Sequence, residues 1–391
     1  MIYIHIPFCR SFCTYCDFYS EVAAKCRKAE DATRQQELFN AFAEALKKEV
    51  AYRAGELSDD VNTIYIGGGT PSVLPLSVYS SIVQELETAG IKAPFDEFTF
   101  EVNPEDVVDK GPAYIEGLMK LGVNRISMGV QSFDDSVLKF MNRRHDAATA
   151  RKAYEILEKS GVGNISLDLI VGLPQLFDDQ WNQTLDQALS ISSQGRKPCH
   201  ISSYQLSVEP GSALARLVER GKWEEASEEA CARQFEILCN RLKEAGYHHY
   251  EISNFALPGY EAVHNSAYWA HVPYVGFGPG AHSFITSADQ VHGGEEYIRR
   301  WNRSDLQAYI ADPLSVSEQE LLDDEQIVME KVMLALRTSA GVSEAFIREQ
   351  CDVAAIDRAI LAGELVSAGE GMLRIPEDKF FVSDRIVAEI I

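Results

Sequence analysis

The chain lacks any apolar run approaching the ~18 uninterrupted residues of a membrane span. It also lacks the basic stretch, apolar segment and small-residue cleavage site of a secretory leader. Met1-Ile2-Tyr3-Ile4-His5-Ile6 reads instead as a strand that runs straight into cysteines. This start predicts a cytoplasmic protein with no transmembrane segment. Basic residues are scarce, with 36 Lys and Arg against 59 Asp and Glu, a formal charge of −23. Wide nucleic-acid contact needs cations to displace phosphate counterions, and docking on anionic lipid needs them too, so neither is expected. Arg143-Arg144-His145 is the only compact basic group. A disulfide scaffold is equally unsupported. Of eight cysteines, three crowd into the first sixteen residues, while Cys26, Cys199, Cys231, Cys239 and Cys351 are scattered and read as ordinary thiols. Clustered thiols in a reducing compartment are more often metal ligands than bridges.

What is present is strand–helix alternation. Short apolar stretches at 2–6, 63–66, 98–102, 125–128, 165–170 and 201–206 alternate with helical patterns at 36–53, 77–89, 113–121, 147–160 and 179–192. The alternation predicts an α/β protein with a mostly parallel sheet covered by helices. It fits an open doubly wound sheet or a partial (β/α) barrel equally well. Residues 258–283, rich in Gly, Pro, His and aromatics, predict a structured loop region. Beyond about 313 the pattern changes to helices at 323–337, 343–350 and 355–362, then a hairpin around Ala368-Gly369-Glu370-Gly371. That combination predicts a small, winged-helix-like module whose third helix is too acidic to read DNA. The chain of 391 residues is accordingly divided into a core at 1–235, an extension at 236–312 and the module at 313–391.

Cys9, Cys13 and Cys16 form a C-x3-C-x2-C run directly after the first strand. Three thiolates on one loop can hold three irons of a cubane and leave the fourth iron open for a small ligand. A structural zinc site that adds His5 is the alternative. Next, Ile64-Tyr65-Ile66-Gly67-Gly68-Gly69-Thr70-Pro71 carries a strand into a triple-glycine loop that permits close backbone approach to a ligand. It lacks the Gly-Lys-Ser/Thr end of a P-loop. Glu101, Gln131 and Asp168 stand at or near successive strand ends, and Arg143 follows Gln131. Polar groups at strand ends of an α/β sheet or barrel hold a polar ligand at its mouth.

These motifs together resemble the oxygen-independent coproporphyrinogen III oxidase family of radical S-adenosylmethionine (SAM) proteins. The likeness runs through Ile4-His5-Ile6-Pro7-Phe8-Cys9 to Cys16, Gly67-Gly68-Gly69-Thr70-Pro71, Gly129-Val130-Gln131-Ser132-Phe133 and Asp168-Leu169-Ile170-Val171-Gly172-Leu173-Pro174. It continues through Ser253-Asn254-Phe255-Ala256 and Gly278-Pro279-Gly280-Ala281-His282-Ser283. The resemblance implies a partial (β/α)6 barrel and a [4Fe–4S] cluster on Cys9, Cys13 and Cys16. It implies an open iron that chelates SAM, and an electron donor such as flavodoxin or ferredoxin. Carried over by position, Tyr3 and Tyr15 flank SAM, and Gly69, Thr70 and Pro71 line its methionine end. Glu101, Gln131, Arg143 and Asp168 hold its polar groups.

Within that family the chain departs from the oxidases. They carry a fourth cysteine two positions after the third, where this chain has Phe18, and a longer extension before the cysteine loop. Both departures resemble the haem chaperone branch, HemW, and so does His264-Asn265-Ser266-Ala267-Tyr268-Trp269, an H-N-x-x-Y-W motif. The resemblance implies a protein that binds haem and delivers it to haem-accepting proteins. His264 would ligate iron, and Tyr268 and Trp269 would stack on the macrocycle. His248, His249 and His282 are rival ligands. A porphyrinogen oxidase and a radical SAM enzyme of other substrate stand as the alternatives.

Overall fold

A computed structural model describes residues 1–22, 29–57, 61–174, 176–289 and 294–391; Cys26 lies outside them. Six strands form the N-terminal sheet: β1 (Ile2–Ile6), β2 (Thr63–Gly68), β3 (Glu97–Val102), β4 (Arg125–Gln131), β5 (Asn164–Val171) and β6 (His200–Gln205). Successive strand residues point to opposite faces. One set, such as Ile4, Ile66, Phe100, Met128 and Leu167, packs into a single buried core. The other set is polar: Tyr65, Glu101, Arg125, Ser127, Asp168 and Ser202. A parallel sheet covered by helices on both faces would need apolar residues in both sets. The alternation therefore leaves one face to enclose a polar interior.

Strand order agrees. β1 to β6 lie side by side in chain order and pair parallel throughout. Right-handed crossovers in an unreversed order put every helix on the same face. This selects a partial (β/α)6 barrel over a doubly wound sheet. Helices Leu76–Thr88, Ala147–Lys159 and Asp178–Leu189 form where the sequence pattern places them, and the first, expected at 36–53, starts earlier and runs Ala29–Arg53. The third differs. It runs Pro104–Lys120 and is interrupted at Gly111, where φ is 69°. Asn103 and Pro104 start a first segment that the apolar period does not show, and the expected helix is only the part after Pro112.

The extension belongs to the same sheet. β7 (His248–Glu251) and β8 (Asn254–Ala256) add antiparallel pairings beyond β6, while β9 (Val275–Phe277) lies parallel to β1 at the other edge. Residues 258–283, expected as a structured loop region, contain helix Val263–Trp269, strand β9 and the start of a strand at His282–Asp289. The pattern misled because these elements are three to eight residues long, too short for a periodic signal.

A buried carboxylate ties the extension to the barrel. Glu49 is 1% exposed on helix Ala29–Arg53. It accepts hydrogen bonds from Arg53 (2.9 Å), Asn302 (2.8 Å), the Gly278 amide (2.9 Å) and the Tyr309 hydroxyl (2.7 Å). After Val316 a separate core begins, built from Val332, Leu336, Ile347, Ile356, Leu373 and Phe380 among others. Helices Asp324–Leu336, Glu344–Gln350 and Val353–Leu361 surround it with a hairpin, Val366–Gly369 and Met372–Arg374, as the sequence predicts. A final helix, Ser383–Ile390, which the sequence pattern does not mark, packs Ile386, Val387 and Ile390 into this core. No described helix is long and apolar enough to cross a membrane.

Arg53 keeps a second carboxylate, Glu56 at 2.9 Å, so removing Glu49 strands no charge, but it leaves the Gly278 amide and the Tyr309 hydroxyl without their acceptor, at about 1–3 kcal/mol each. Glu49→Ala should lower stability by about 2 kcal/mol or more. Denaturant unfolding would check it; a loss below about 1 kcal/mol would show that Glu49 does not carry this junction.

Candidate functional site

The cysteine loop is pinned at several points. Phe8 is wedged edge-on between Phe39 and Phe42, with ring centroids at 5.0 and 5.3 Å. The Thr14 amide donates to Met141 O at 3.2 Å, and Asn142 Nδ2 to Phe12 O at 2.7 Å. Cys9, Cys13 and Cys16 thereby come to line one cavity of ≈ 410 Å³. All three are free thiols. Burial raises the pKa of Cys9 and pushes Cys16 up to about 12, so thiolates there need a cationic partner, as a bound metal would be. The zinc alternative loses its fourth ligand. His5 has both ring nitrogens occupied, by the Tyr3 hydroxyl (3.0 Å) and Tyr19 O (2.8 Å). Among the described residues no three His, Cys, Asp or Glu side chains are placed to hold a single metal ion.

The triple-glycine loop owes its composition to protein neighbours. A Cβ on Gly67 would meet the Glu101 carboxylate at 2.9 Å, one on Gly68 the His5 ring at 2.6 Å, and one on Gly69 the Phe8 carbonyl at 2.8 Å. The Gly69 and Thr70 amides donate to Ile6 O and Phe8 O, each at 2.8 Å, so this loop docks on the cysteine strand. Thr70 Oγ1 then shares a hydrogen bond with Cys9 Sγ at 3.3 Å and accepts one from Asn103 Nδ2 at 3.2 Å. Asn103 Oδ1 accepts from Arg143 Nη2 at 2.6 Å, and Arg143 Nη1 donates to Cys13 Sγ at 3.4 Å. One polar chain thus joins two cysteines through three loops. Arg143 Nε is buried without a partner, which suits an acceptor on a bound ligand.

Tyr15, Pro71, Glu101, Gln131 and Asp168 line the same cavity. Tyr3 does not; its hydroxyl is held by His5. Glu101 accepts from the Tyr65 hydroxyl at 2.6 Å, and burial lifts its pKa to about 7. Asp168 accepts from Ser127 Oγ at 2.9 and 3.1 Å, and burial raises its pKa as well. Gln131 adopts φ 67°, a left-handed conformation at the end of β4. Sequence reasoning missed Asn103, Tyr65 and Ser127. Asn103 carried a signal, a polar residue between a strand end and a proline. Tyr65 and Ser127 had none beyond their place in the strand alternation.

The H-N-x-x-Y-W segment lies elsewhere, at the barrel's opposite end. Helix Val263–Trp269 is capped by Glu97, which accepts from the Val263 amide (2.8 Å) and the His264 amide (3.3 Å). His264 is 0% exposed, with Nδ1 hydrogen-bonded to Thr63 Oγ1 (2.9 Å) and Nε2 to the Tyr268 hydroxyl (3.1 Å). Burial pushes its pKa down to about 3, so the ring is neutral. Tyr268 and Trp269 are half-buried, and of this motif only Asn265 touches the cavity.

Two outcomes follow from this geometry. Asn103→Ala should cut iron retention and SAM binding by roughly ten-fold, the scale of losing a ligand-orienting contact; unchanged iron content would detach Asn103 from the cluster loop. Glu101 holds its proton longer when folded than its ordinary value of 4.5. The folded state therefore binds more protons between 4.5 and about 7, and stability contributed by Glu101 falls as pH rises through that window. Glu101→Gln should flatten that part of a stability–pH profile.

Comparison with known proteins agrees with this architecture. Residues 3–188 match the Radical SAM superfamily. The chain is 34% identical to the haem chaperone HemW of a Synechocystis species, over 88% of this chain and 79% of that one. It is 34% identical to HemW of Bacillus subtilis, over 88% and 84%. It is 36% identical to HemW of Escherichia coli, over 74% and 71%. The coproporphyrinogen III oxidase HemN of Escherichia coli, a radical SAM enzyme, has the same fold, with TM-score 0.77, 20% identity and coverage of 99% and 89%. The barrel, the thiol loop and these likenesses together make the chain a member of the radical SAM superfamily, in the family of the haem chaperone HemW.

Proposed function

We infer that this protein binds haem and passes it to haem-accepting proteins, with a [4Fe–4S] cluster on Cys9, Cys13 and Cys16 and SAM in the adjoining cavity. The observation that carries the reading is the likeness, over 88% of the chain, to proteins named haem chaperones. The residues suit both cofactors. Three free thiols share the cavity with Arg143, whose Nε lacks a partner, and with the carboxyls of Glu101 and Asp168. A guanidinium suits the carboxylate of SAM, and carboxyls suit its ammonium and ribose hydroxyls. When bound, the cluster supplies an open iron and an electron, drawn from a donor such as flavodoxin or ferredoxin, for reductive cleavage of SAM. The alternative, coproporphyrinogen oxidation, is weakened by Phe18. It stands 65% exposed beside the cavity, in place of the oxidases' fourth cysteine.

For haem, His264, Tyr268 and Trp269 are the proposed contacts, on one condition. A ring nitrogen of His264 is free to meet iron only once the Tyr268 hydroxyl leaves Nε2. His248 and His282, both exposed, are the replacements if it does not; His249 is buried against Phe255, with ring centroids 4.0 Å apart.

Reconstituted protein should hold about four irons per chain, and Cys9→Ala, Cys13→Ala and Cys16→Ala should each fall close to none. Stoichiometric zinc in their place would overturn the cluster. With cluster, SAM and reductant supplied, coproporphyrinogen III should yield no protoporphyrinogen IX; its appearance would restore the oxidase reading. His264→Ala should weaken haem binding and shift the Soret band with iron content intact, and Tyr268→Phe, which releases Nε2, should strengthen binding. Spectra unchanged in both variants would move the ligand to His248 or His282.

A further inference from the structure

Deep in the barrel one cation has unspent donors. Arg125 opens β4, in register with Thr99 of β3 and Asn164 of β5, one inward-facing position below Ser127. It is 3% exposed and lines the same cavity as the thiols. Its one ion contact among the described residues is to Glu97 Oε2 at 3.7 Å, beyond hydrogen-bonding reach. Glu97 is already engaged. Its oxygens accept from the Val263 amide (2.8 Å), Thr99 Oγ1 (2.9 Å) and the His264 amide (3.3 Å). Arg125 Nε and Nη1 are buried with no partner. A buried guanidinium left without acceptors is costly, and a native protein keeps one where a ligand completes it.

The surroundings favour an anion at that point. Ser127, Ser202, Tyr204 and Asn265 are neutral polar groups that line the cavity with Arg125. Two acids that line the cavity with it are committed. Asp168 takes the Ser127 hydroxyl and Glu101 the Tyr65 hydroxyl, and burial raises the pKa of both, which weakens them as anions. Arg143, the cation nearer the thiols, spends its two Nη groups on Cys13, Asn103 and the Gly129 carbonyl. Two guanidiniums at different depths thus face one cavity, and a single SAM molecule has one carboxylate.

We propose that Arg125 anchors a second subsite, deeper than the residues assigned to SAM, that takes the carboxylate of a second ligand. Guanidinium donors match carboxylate oxygens in geometry as well as charge. Two sources share that chemistry, a propionate arm of a tetrapyrrole or a free small carboxylate. The first rests on the haem reading above; the second does not.

The test uses reconstituted full-length protein titrated with haem and with haem dimethyl ester, whose propionates are masked. Wild type should prefer haem by ~10-fold or more, the worth of a charge-assisted pair. Arg125→Gln should abolish that preference while keeping ester affinity, iron content and SAM binding. Arg125→Lys should restore part of it. In parallel, sodium propionate is compared with sodium chloride at equal ionic strength by thermal unfolding. Should wild type bind no haem, the haem reading fails; propionate stabilisation of wild type but not of Arg125→Gln then supports the subsite for a small carboxylate. Equal affinity for haem and its ester in wild type, with no propionate effect, overturns the subsite. So does a preference that survives in Arg125→Gln. If Arg125→Gln does not fold, Arg125→Lys and the wild-type ester comparison decide the question alone.

Discussion

Arg143 carries the charge that three loops share. Its guanidinium donates to Cys13, to Asn103 and to the Gly129 carbonyl, and Asn103 passes the linkage through Thr70 to Cys9. Each of these loops leaves the same end of a parallel barrel, so their backbones are already close. What the barrel alone does not provide is a fixed spacing between thiols. A charged group with several donors in a rigid plane supplies it, because moving any one loop breaks a charge-assisted bond. The thiols are thereby oriented before any metal arrives, as a metal site requires of the shell around its ligands.

That arrangement depends on a sheet whose two faces differ in kind. Isoleucine, phenylalanine and leucine on the outer face seal the helices to the strands. The inner face spends its positions on tyrosine, serine, acids and arginine. Burial there raises the carboxyl pKa values of Glu101 and Asp168. The interior is thus only partly satisfied by its own groups, as the partnerless donors of Arg125 and Arg143 show. A lined, incompletely paired cavity is what a polar ligand completes.

The extension closes this barrel at its other end. Glu97 holds the N-terminus of helix Val263–Trp269, and His264 bridges Thr63 and Tyr268. A motif that resembles a haem site is therefore also a structural plug in this conformation. The two roles are exclusive at Nε2 of His264, which makes the Tyr268 hydroxyl the contact to watch. The Glu49 hub links a later part of the extension, at Gly278 and Asn302, to the outer helix layer.

Several features were legible in the amino-acid order because they are local. The thiol spacing of Cys9, Cys13 and Cys16, the strand alternation and the C-terminal helices and hairpin all depend on near neighbours along the chain. The strand-end positions of Glu101, Gln131 and Asp168 could be read the same way, since a strand's end is a local property. The function of the triple glycine could not. Gly67, Gly68 and Gly69 are bare because Glu101, His5 and Phe8 approach them, and those residues are distant in sequence or face them only across paired strands. Nor could the sequence tell that His264 is sealed and saturated, that Asn103 is the link between Thr70 and Arg143, or that Arg125 has no acceptor. Whether a polar group is satisfied depends on which groups surround it, and a chain acquires those neighbours only when its strands are laid side by side.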